Sequence, residues 1–293
     1  MMTIDHAILE KLTDAEGLGV RRLFEKGVVL PPQPRVLSEF QAQVGEGVSD
    51  VRILAKTIAQ DPGVVAMLFK VARSAVRSAR PFSSVEQILQ VIGLRQAENL
   101  VRAIALTRAV PAKHNRKAFE AYWARSQAIA ELAMLIADER VSVCNIFSDQ
   151  AYLAGLFHEC GVPVLMQRFP TYCKTMRLDE PGLWVDLAAE DARFNADHCV
   201  VGYLVAKHWR LPAFICEAIR CHHDIQRLDY HTARTMAAIL QLAGHIYYLE
   251  MRFVNRDWEN VRAEVLEELG LSEESLPELI DVVRERYHAA SAA

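Results

Sequence analysis

Apolar residues recur along this chain at the three-and-four spacing of helix faces, and no run alternates with the two-residue period of a half-buried strand. Val51, Leu54, Ala55 and Ile58 form one stripe, which stops at Asp61-Pro62-Gly63. Ser83 with Glu86 has the spacing of a capping box ahead of Val85, Ile88, Leu89 and Ile92, and Gly93 is placed to end that helix in a left-handed conformation. A helix over Ala97 to Ala109 follows and stops before Pro111. From about Lys117 to Asp138 a wide face of Phe119, Tyr122, Ser126, Ala130, Ala133 and Ala137 predicts a long, central, well-packed helix.

In the second half Asp149 is the expected cap of a helix ending near His158, and Val162 to Phe169 forms a short helix bounded by Pro170. The pattern weakens from Tyr172 to Arg193, with a turn at Pro181-Gly182, which predicts short helices or a loop beside a pocket. Pro212 suits the first turn of a helix that delivers His222 and His223. Arg234 to Glu250 predicts another helix, and Ser275 with Glu278 is placed to cap a last one running to about His288. The fold class expected is all-α.

Composition narrows the class. The chain has 293 residues, 52% of them hydrophobic, enough for one large core or two packed subdomains. No stretch reaches the roughly 18 apolar residues of a membrane span, and Met1-Met2-Thr3-Ile4-Asp5-His6 has no basic-then-apolar signal pattern. A cytoplasmic protein with no membrane partner is expected. A net charge of -4 argues against direct nucleic-acid binding, which needs a concentrated basic surface. The six cysteines form no Cys-x-x-Cys pair, and Cys160, Cys199, Cys216 and Cys221 lie on or beside apolar faces. Buried free thiols in a reducing compartment are the simple expectation. There is no phosphate-binding glycine loop and no nucleophile elbow.

Four histidines and a carboxylate are the candidate chemistry. His158 shares a helical face with Ala151, Ala154 and Gly155, His198 with Val201, Gly202 and Val205, and His222 with Ile215 and Ile219. Three imidazoles therefore point inward from three helices, with Glu159 beside the first and His223 beside the last. A single histidine on an apolar face is ordinarily a hydrogen-bonded core residue. Several together need a shared partner, which a metal, a water network or an anion supplies. Imidazole and carboxylate ligation suits zinc, iron, manganese or nickel. Lys70, Arg73, Arg77 and Arg80 form a basic cluster whose readings are a solvated helix face or an anion contact such as a nucleotide phosphate.

The run Leu156-Phe157-His158-Glu159-Cys160-Gly161 resembles the His-Asp signature of the HD phosphohydrolase superfamily. Asp197-His198 to Gly202, Trp209-Arg210-Leu211-Pro212 and His222-His223 resemble the later part of its HD-GYP and HDOD branches. Leu30-Pro31-Pro32-Gln33-Pro34, Ile58-Ala59-Gln60-Asp61-Pro62, Phe82-Ser83-Ser84-Val85 and Ile92-Gly93-Leu94-Arg95 are similar to the front of HDOD domains, the HD-related output domains of bacterial signalling. The resemblance covers residues 23–223. It implies an N-terminal helical extension over 1–22, an HDOD-like domain over 23–223 and a helical C-terminal extension over 224–293. Arg73-Ser74 stands where HDOD domains often have asparagine-serine.

The departures decide the expected activity. The resemblance implies an additional histidine near Tyr122 to Ser126, where this chain has Arg125, and a late aspartate near Leu242 to His245, where it has Gly244. The signature aspartate is Glu159, the lysine that follows it in HD-GYP enzymes is Val162, and the glycine-tyrosine-proline element is missing from His223-Asp224-Ile225-Gln226. A metal enzyme needs enough ligands, an open position for water and groups that stabilise phosphoryl charge. The expectation is a non-catalytic signalling module that works through contacts with signalling proteins and requires no cofactor. A metal-dependent phosphohydrolase or cyclic-nucleotide phosphodiesterase and a non-catalytic nucleotide receptor are the alternatives. Arg125, in the place of the missing ligand, is expected to reach Glu159 and stand in for a cation; snorkelling to solvent is its other course.

Overall fold

A computed structural model describes residues 12–75, 82–110, 115–178, 180, 185–228, 231–255 and 257–292. The fold is all-α, with no strand among the described residues.

Among the described residues the N-terminal half contains six helices: α1 (Asp14–Glu25), α2 (Arg35–Gly45), α3 (Val51–Ile58), α4 (Pro62–Ala75), α5 (Val85–Ile92) and α6 (Leu94–Ala109). Thr13 and Glu16 form a reciprocal capping box at the start of α1. The boundary expected after residue 22 therefore falls inside a helix. The cap of α5 is Ser84, one residue later than expected. Ser84 accepts from the Gln87 amide at 3.1 Å, while Gln87 Oε1 accepts from the amide of Ser83 at 2.8 Å. Glu86 has no part in that box. Gly93 does have a positive φ of 82°, but its ψ of 158° is extended rather than left-handed helical, and it opens α6 as well as closing α5.

The long helix predicted around Lys117 is α7 (Arg116–Cys144), and Phe119, Tyr122, Ser126, Ala130, Ala133 and Ala137 are all buried along it. Against it pack α8 (Ser148–Phe157), α14 (His231–Glu250) and α16 (Leu276–Ala292). Asp149 does not cap α8. It lies in the first turn, buried, accepting from Asn99 Nδ2 of α6 at 2.7 Å, and the Phe147 amide at the helix start is taken up by Gln150 Oε1. Between α8 and α14 run α9 (Gly161–Arg168), α10 (Tyr172–Thr175), α11 (Leu187–Phe194), α12 (His198–His208) and α13 (Ala213–Arg220). The weakly patterned stretch is thus two short helices, while Pro181-Gly182 lies outside the described residues.

Pro212 precedes α13 as its cap rather than entering its first turn, and α13 stops at Arg220. His222 and His223 therefore follow the helix instead of riding on it. After α15 (Trp258–Leu269), α16 begins at Leu276; Ser275 turns its hydroxyl back to Ser272 O at 3.2 Å rather than forward to Glu278.

Two glycines set the spacing around the future site. A Cβ at Gly155 of α8 would lie 2.6 Å from the Ala130 Cα of α7, and one at Gly161 of α9 would lie 2.1 Å from the His198 oxygen of α12. Both crossings are closer than any side chain allows. They bring α7, α8, α9 and α12 together around one histidine cluster.

Candidate functional site

Four helix ends or turns supply the polar groups. His158 follows the last residue of α8 as its C-cap, and Glu159 comes next in the turn to α9. His198 is the first residue of α12, whose N-cap Asp197 accepts from the Val200 amide at 2.9 Å. His222 and His223 lie just past α13, and Arg125 projects from α7. Helix ends carry backbone groups without intrahelical partners. Fixed acceptors for imidazole N–H groups are therefore at hand: His158 Nδ1 lies 2.6 Å from Gly155 O and His222 Nδ1 lies 2.8 Å from Ile219 O.

The four histidines form one cluster. Ring centroids are 5.1 Å apart for His158 and His222, 5.4 Å for His198 and His222, 5.3 Å for His198 and His223, and 4.1 Å for His222 and His223. His158, Glu159, His198 and His222 are buried, while His223 is half-buried. Arg125 reaches inward: its Nη1 donates to Glu159 Oε2, and its guanidinium lies 5.6 Å from the Tyr247 ring centroid. Glu159 also has His158 Nε2 at 3.7 Å.

Electrostatics follow from burial and that pairing. Burial alone would favour a neutral Glu159, but the adjacent Arg125 charge outweighs it and holds the carboxyl down at about 2. Burial keeps His158 below the ordinary imidazole range, and it pushes His222 and His223 well below it, helped by neighbouring charge. His198 differs. Burial opposes its charge as well, yet Cys199 and the Glu190 carboxylate lift it well above that range.

Glu190 and Cys199 are the site residues that sequence reasoning missed. Glu190 of α11 is fully buried; it accepts from His198 Nδ1 at 2.6 Å and from the His198 amide at 3.0 Å, and Tyr172 donates its hydroxyl to the other oxygen. Nothing in its weakly periodic surroundings marks it as buried. Cys199 reads as an inert core thiol, as do the other five cysteines, all free and buried. Its Sγ nevertheless lies 3.6 Å from His198 Nε2 and 3.8 Å from His222 Nδ1. Its place next to His198 at a helix start was the available signal. Gln241 of α14 completes the shell by donating to the His222 carbonyl.

Two sets of side chains among the described residues could hold a metal ion. One is His158, Glu159 and His222; the other is His198, Cys199, His222 and His223. The first set is the signature position, and the Arg125 guanidinium already pairs with its only carboxylate. Gly244 lines the cavity above, and a Cβ there would meet nothing within 4 Å. No carboxylate fills the place where the resemblance implies one. The signature position therefore fits a catalytic ion poorly.

That cavity has a volume of about 810 Å³. His158, Glu159 and His222 form its buried floor, and exposed Arg252, Val254 and Asn260 line its mouth. Lys70 and Arg73 do not line it. Lys70 pairs with the buried Glu131 at 2.6 Å, Arg73 is exposed, and Arg77 and Arg80 lie outside the described residues.

With this geometry in place, comparison with known proteins is informative. The HDOD domain family matches residues 30–225. Among solved structures, the chain is similar to an HDOD domain protein of unknown function from Geobacter sulfurreducens. The two are 25% identical with a TM-score of 0.61, over 93% of this chain and 98% of that one. A Shewanella amazonensis protein provisionally described as a metal-dependent phosphohydrolase is 20% identical with a TM-score of 0.68, over 98% of this chain and all of that one. At that identity the likeness shows the fold alone. A curated relative, an uncharacterised protein of Treponema pallidum (strain Nichols), is 22% identical over 198 residues, 67% of this chain but only 38% of the relative's length.

Proposed function

This chain belongs to the HDOD family, and from that premise we propose that it is a non-catalytic signal-transduction module acting through contacts with signalling proteins. The observation that carries this reading is the Arg125–Glu159 ion pair at the signature position. A guanidinium is a permanent cation with a planar donor fork that matches a carboxylate. It neutralises Glu159 as a metal would, but it offers no open coordination position and cannot lower the pKa of a water. His158 is held neutral and hydrogen-bonded to Gly155 O. The signature carboxylate is thus neutralised without an ion, and in this reading the site has lost the means to activate a nucleophile.

The test is direct. Purified protein supplied with manganese, iron, nickel or zinc is expected to leave phosphate monoesters, phosphodiesters and cyclic dinucleotides intact. Turnover that disappears in His158→Ala would overturn the reading in favour of a metal-dependent phosphohydrolase.

The cavity favours a second reading, a receptor for a small anionic ligand of the nucleotide class. Its volume lies within the range of small-molecule sites, and Arg252, His223 and Asn260 face it along with the apolar Leu240 and Val261. A ligand there would touch α7, α14 and α15 at once. It could therefore bias their packing, and with it a partner surface. A thermal-shift screen against nucleotides separates this reading from purely constitutive protein contacts. Under either reading, neither the net charge of -4 nor any described helix favours nucleic-acid or membrane partners; no described helix is long and apolar enough to cross a membrane.

A further inference from the structure

Helix α1 is held against the rest of the chain by charge as much as by apolar contact. It lies ahead of the family match, which begins at residue 30, and it buries Gly19, Val20 and Leu23. Its Glu16 carboxylate enters a clamp of two guanidinium groups. Oε2 accepts from Arg220 Nη2 at 2.5 Å and from the Thr13 amide at 2.8 Å, and Oε1 accepts from Arg227 Nη2 at 3.2 Å. Burial would raise the Glu16 carboxyl, but the Thr13 amide and Arg220 hold it below its ordinary range, so it sits there as an anion.

The clamp has one donor that Glu16 does not use. Tyr203 of α12 is fully buried, and its hydroxyl has no hydrogen-bond partner among the described residues. Burial, with Glu217 nearby, pushes that hydroxyl up to about 12, so it stays a donor. The Arg220 guanidinium lies 5.7 Å from the Tyr203 ring centroid, and Lys207 Nζ lies 5.7 Å from it as well. Arg220 is mostly buried, and its Nη1 has Glu217 Oε2 at 3.8 Å, which fixes the direction of the fork. A carboxylate has two oxygens, and both are already engaged by the two arginines and Thr13. A phosphate monoester has three terminal oxygens, and paired arginines suit them. The added oxygen answers the unsatisfied Tyr203 hydroxyl, whose burial without a partner otherwise costs free energy.

We propose that Arg220, Arg227 and Tyr203 form a phosphoryl-binding site, which α1 keeps closed by placing Glu16 in it as a resident anion. The site is separate from the cavity described above, with which it shares none of these residues. Because Glu16 is tethered, it competes at an effective concentration of about millimolar, and a free phosphoryl group has to displace it. His222 and His223 lie between Arg220 and Arg227 in the chain. Exchange of Glu16 for a phosphoryl group therefore frees α1 and acts on the same turn whose histidines line the cavity.

Calorimetric titration of the full chain with inorganic phosphate at constant ionic strength tests this. The unaltered protein is expected to bind weakly and Glu16→Gln at least about tenfold more tightly, because glutamine still closes the capping box of α1 but no longer competes as an anion. Gly19→Ala reaches the same end without touching a charge. Its Cβ would lie 2.0 Å from Asn195 O and push α1 off its seat, so it too should tighten phosphate binding. Tyr203→Phe, added to Glu16→Gln, should weaken binding about fivefold, in line with one hydrogen bond, and leave thermal stability unchanged because the hydroxyl has no partner to lose. In the unaltered protein, saturating phosphate should raise amide hydrogen exchange in α1 and leave α16 as it was. Equal phosphate affinity in the unaltered protein and both opening variants overturns the proposal, and so does full affinity after Tyr203→Phe. AMP and a phosphoserine peptide, titrated into Glu16→Gln, separate the two sources of the phosphoryl group. Tighter binding of the first identifies a nucleotide, and tighter binding of the second a phosphorylated protein. None of these readouts depends on hydrolysis, so the non-catalytic reading stands or falls separately.

Discussion

Arg125 and Glu159 are each mostly or fully withdrawn from water, with side chains 11% and 2% exposed. Removing one member of such a pair leaves the other charge buried and uncompensated. Arg125→Met is therefore expected to cost about 3 kcal/mol in urea unfolding, and adding Glu159→Gln should recover at least half of that loss. The sign of the pH dependence follows from the lowered Glu159 pKa. Its contribution is complete above the unfolded value of 4.5 and is lost as pH falls toward about 2. A second titration lies at His245, which stacks on Trp258 with centroids 4.1 Å apart. Burial, with Arg262 nearby, holds it down at about 4. The folded protein keeps this ring neutral while the unfolded chain takes up a proton near 6.5, so stability should fall as pH drops from 6.5 toward 4. His245→Phe should flatten that fall. An unchanged slope in the variant would remove His245 as its source.

At the scale of elements, the site depends on helix crossings that glycine alone permits. Gly161 brings α9 against the first residues of α12, with Gly202 N only 2.9 Å from the added Cβ as well. Gly161→Ala must push these helices apart. A loss of about 1–3 kcal/mol is expected from such overpacking. The same shift would draw His198 away from the histidines beyond it. Thermal unfolding checks the first expectation, and a shift of the His198 imidazole resonances in NMR spectra checks the second. Ile215 and Ile219 correctly predicted that His222 faces inward, although the helix ends two residues earlier, because the turn keeps the chain close to the helical path and His222 Nδ1 bonds to Ile219 O.

At the scale of the whole molecule, the core does not stop where the family match stops. Residues 30–225 carry the match, yet Leu240, Gln241, Gly244 and Tyr248 of α14 line the cavity, and α14 packs along α7 and α15. The C-terminal segment is fastened as well: Arg140 donates to Leu269 O at 2.7 Å, and Arg286 pairs with Asp138 at 2.8 Å. A chain ending at residue 225 would expose the buried faces of α7 and α8. It is expected to lose cooperative thermal unfolding by circular dichroism. Retention of a sharp transition would show that the matched segment folds alone.

Local chemistry made much of this legible in advance. Helical period placed the long α7 and the inward faces of His158, His198 and His222, because a helix repeats its exposure over a few residues whatever lies across from it. The order of motifs placed the chain in its family and set Arg125 opposite the signature. The cap of α5 is Ser84 rather than Ser83 because both serines have a plausible partner three residues on, and only the backbone path selects between them. Glu190 and Cys199 were decided by tertiary structure alone. A buried acid or a core thiol takes its role from the group brought against it, and here that group arrives from another helix or from the turn after one. The union of Glu159 with Arg125, 34 residues apart in sequence, has the same origin: sequence supplied both charges, and only the packing of α7 on α8 made each the partner of the other.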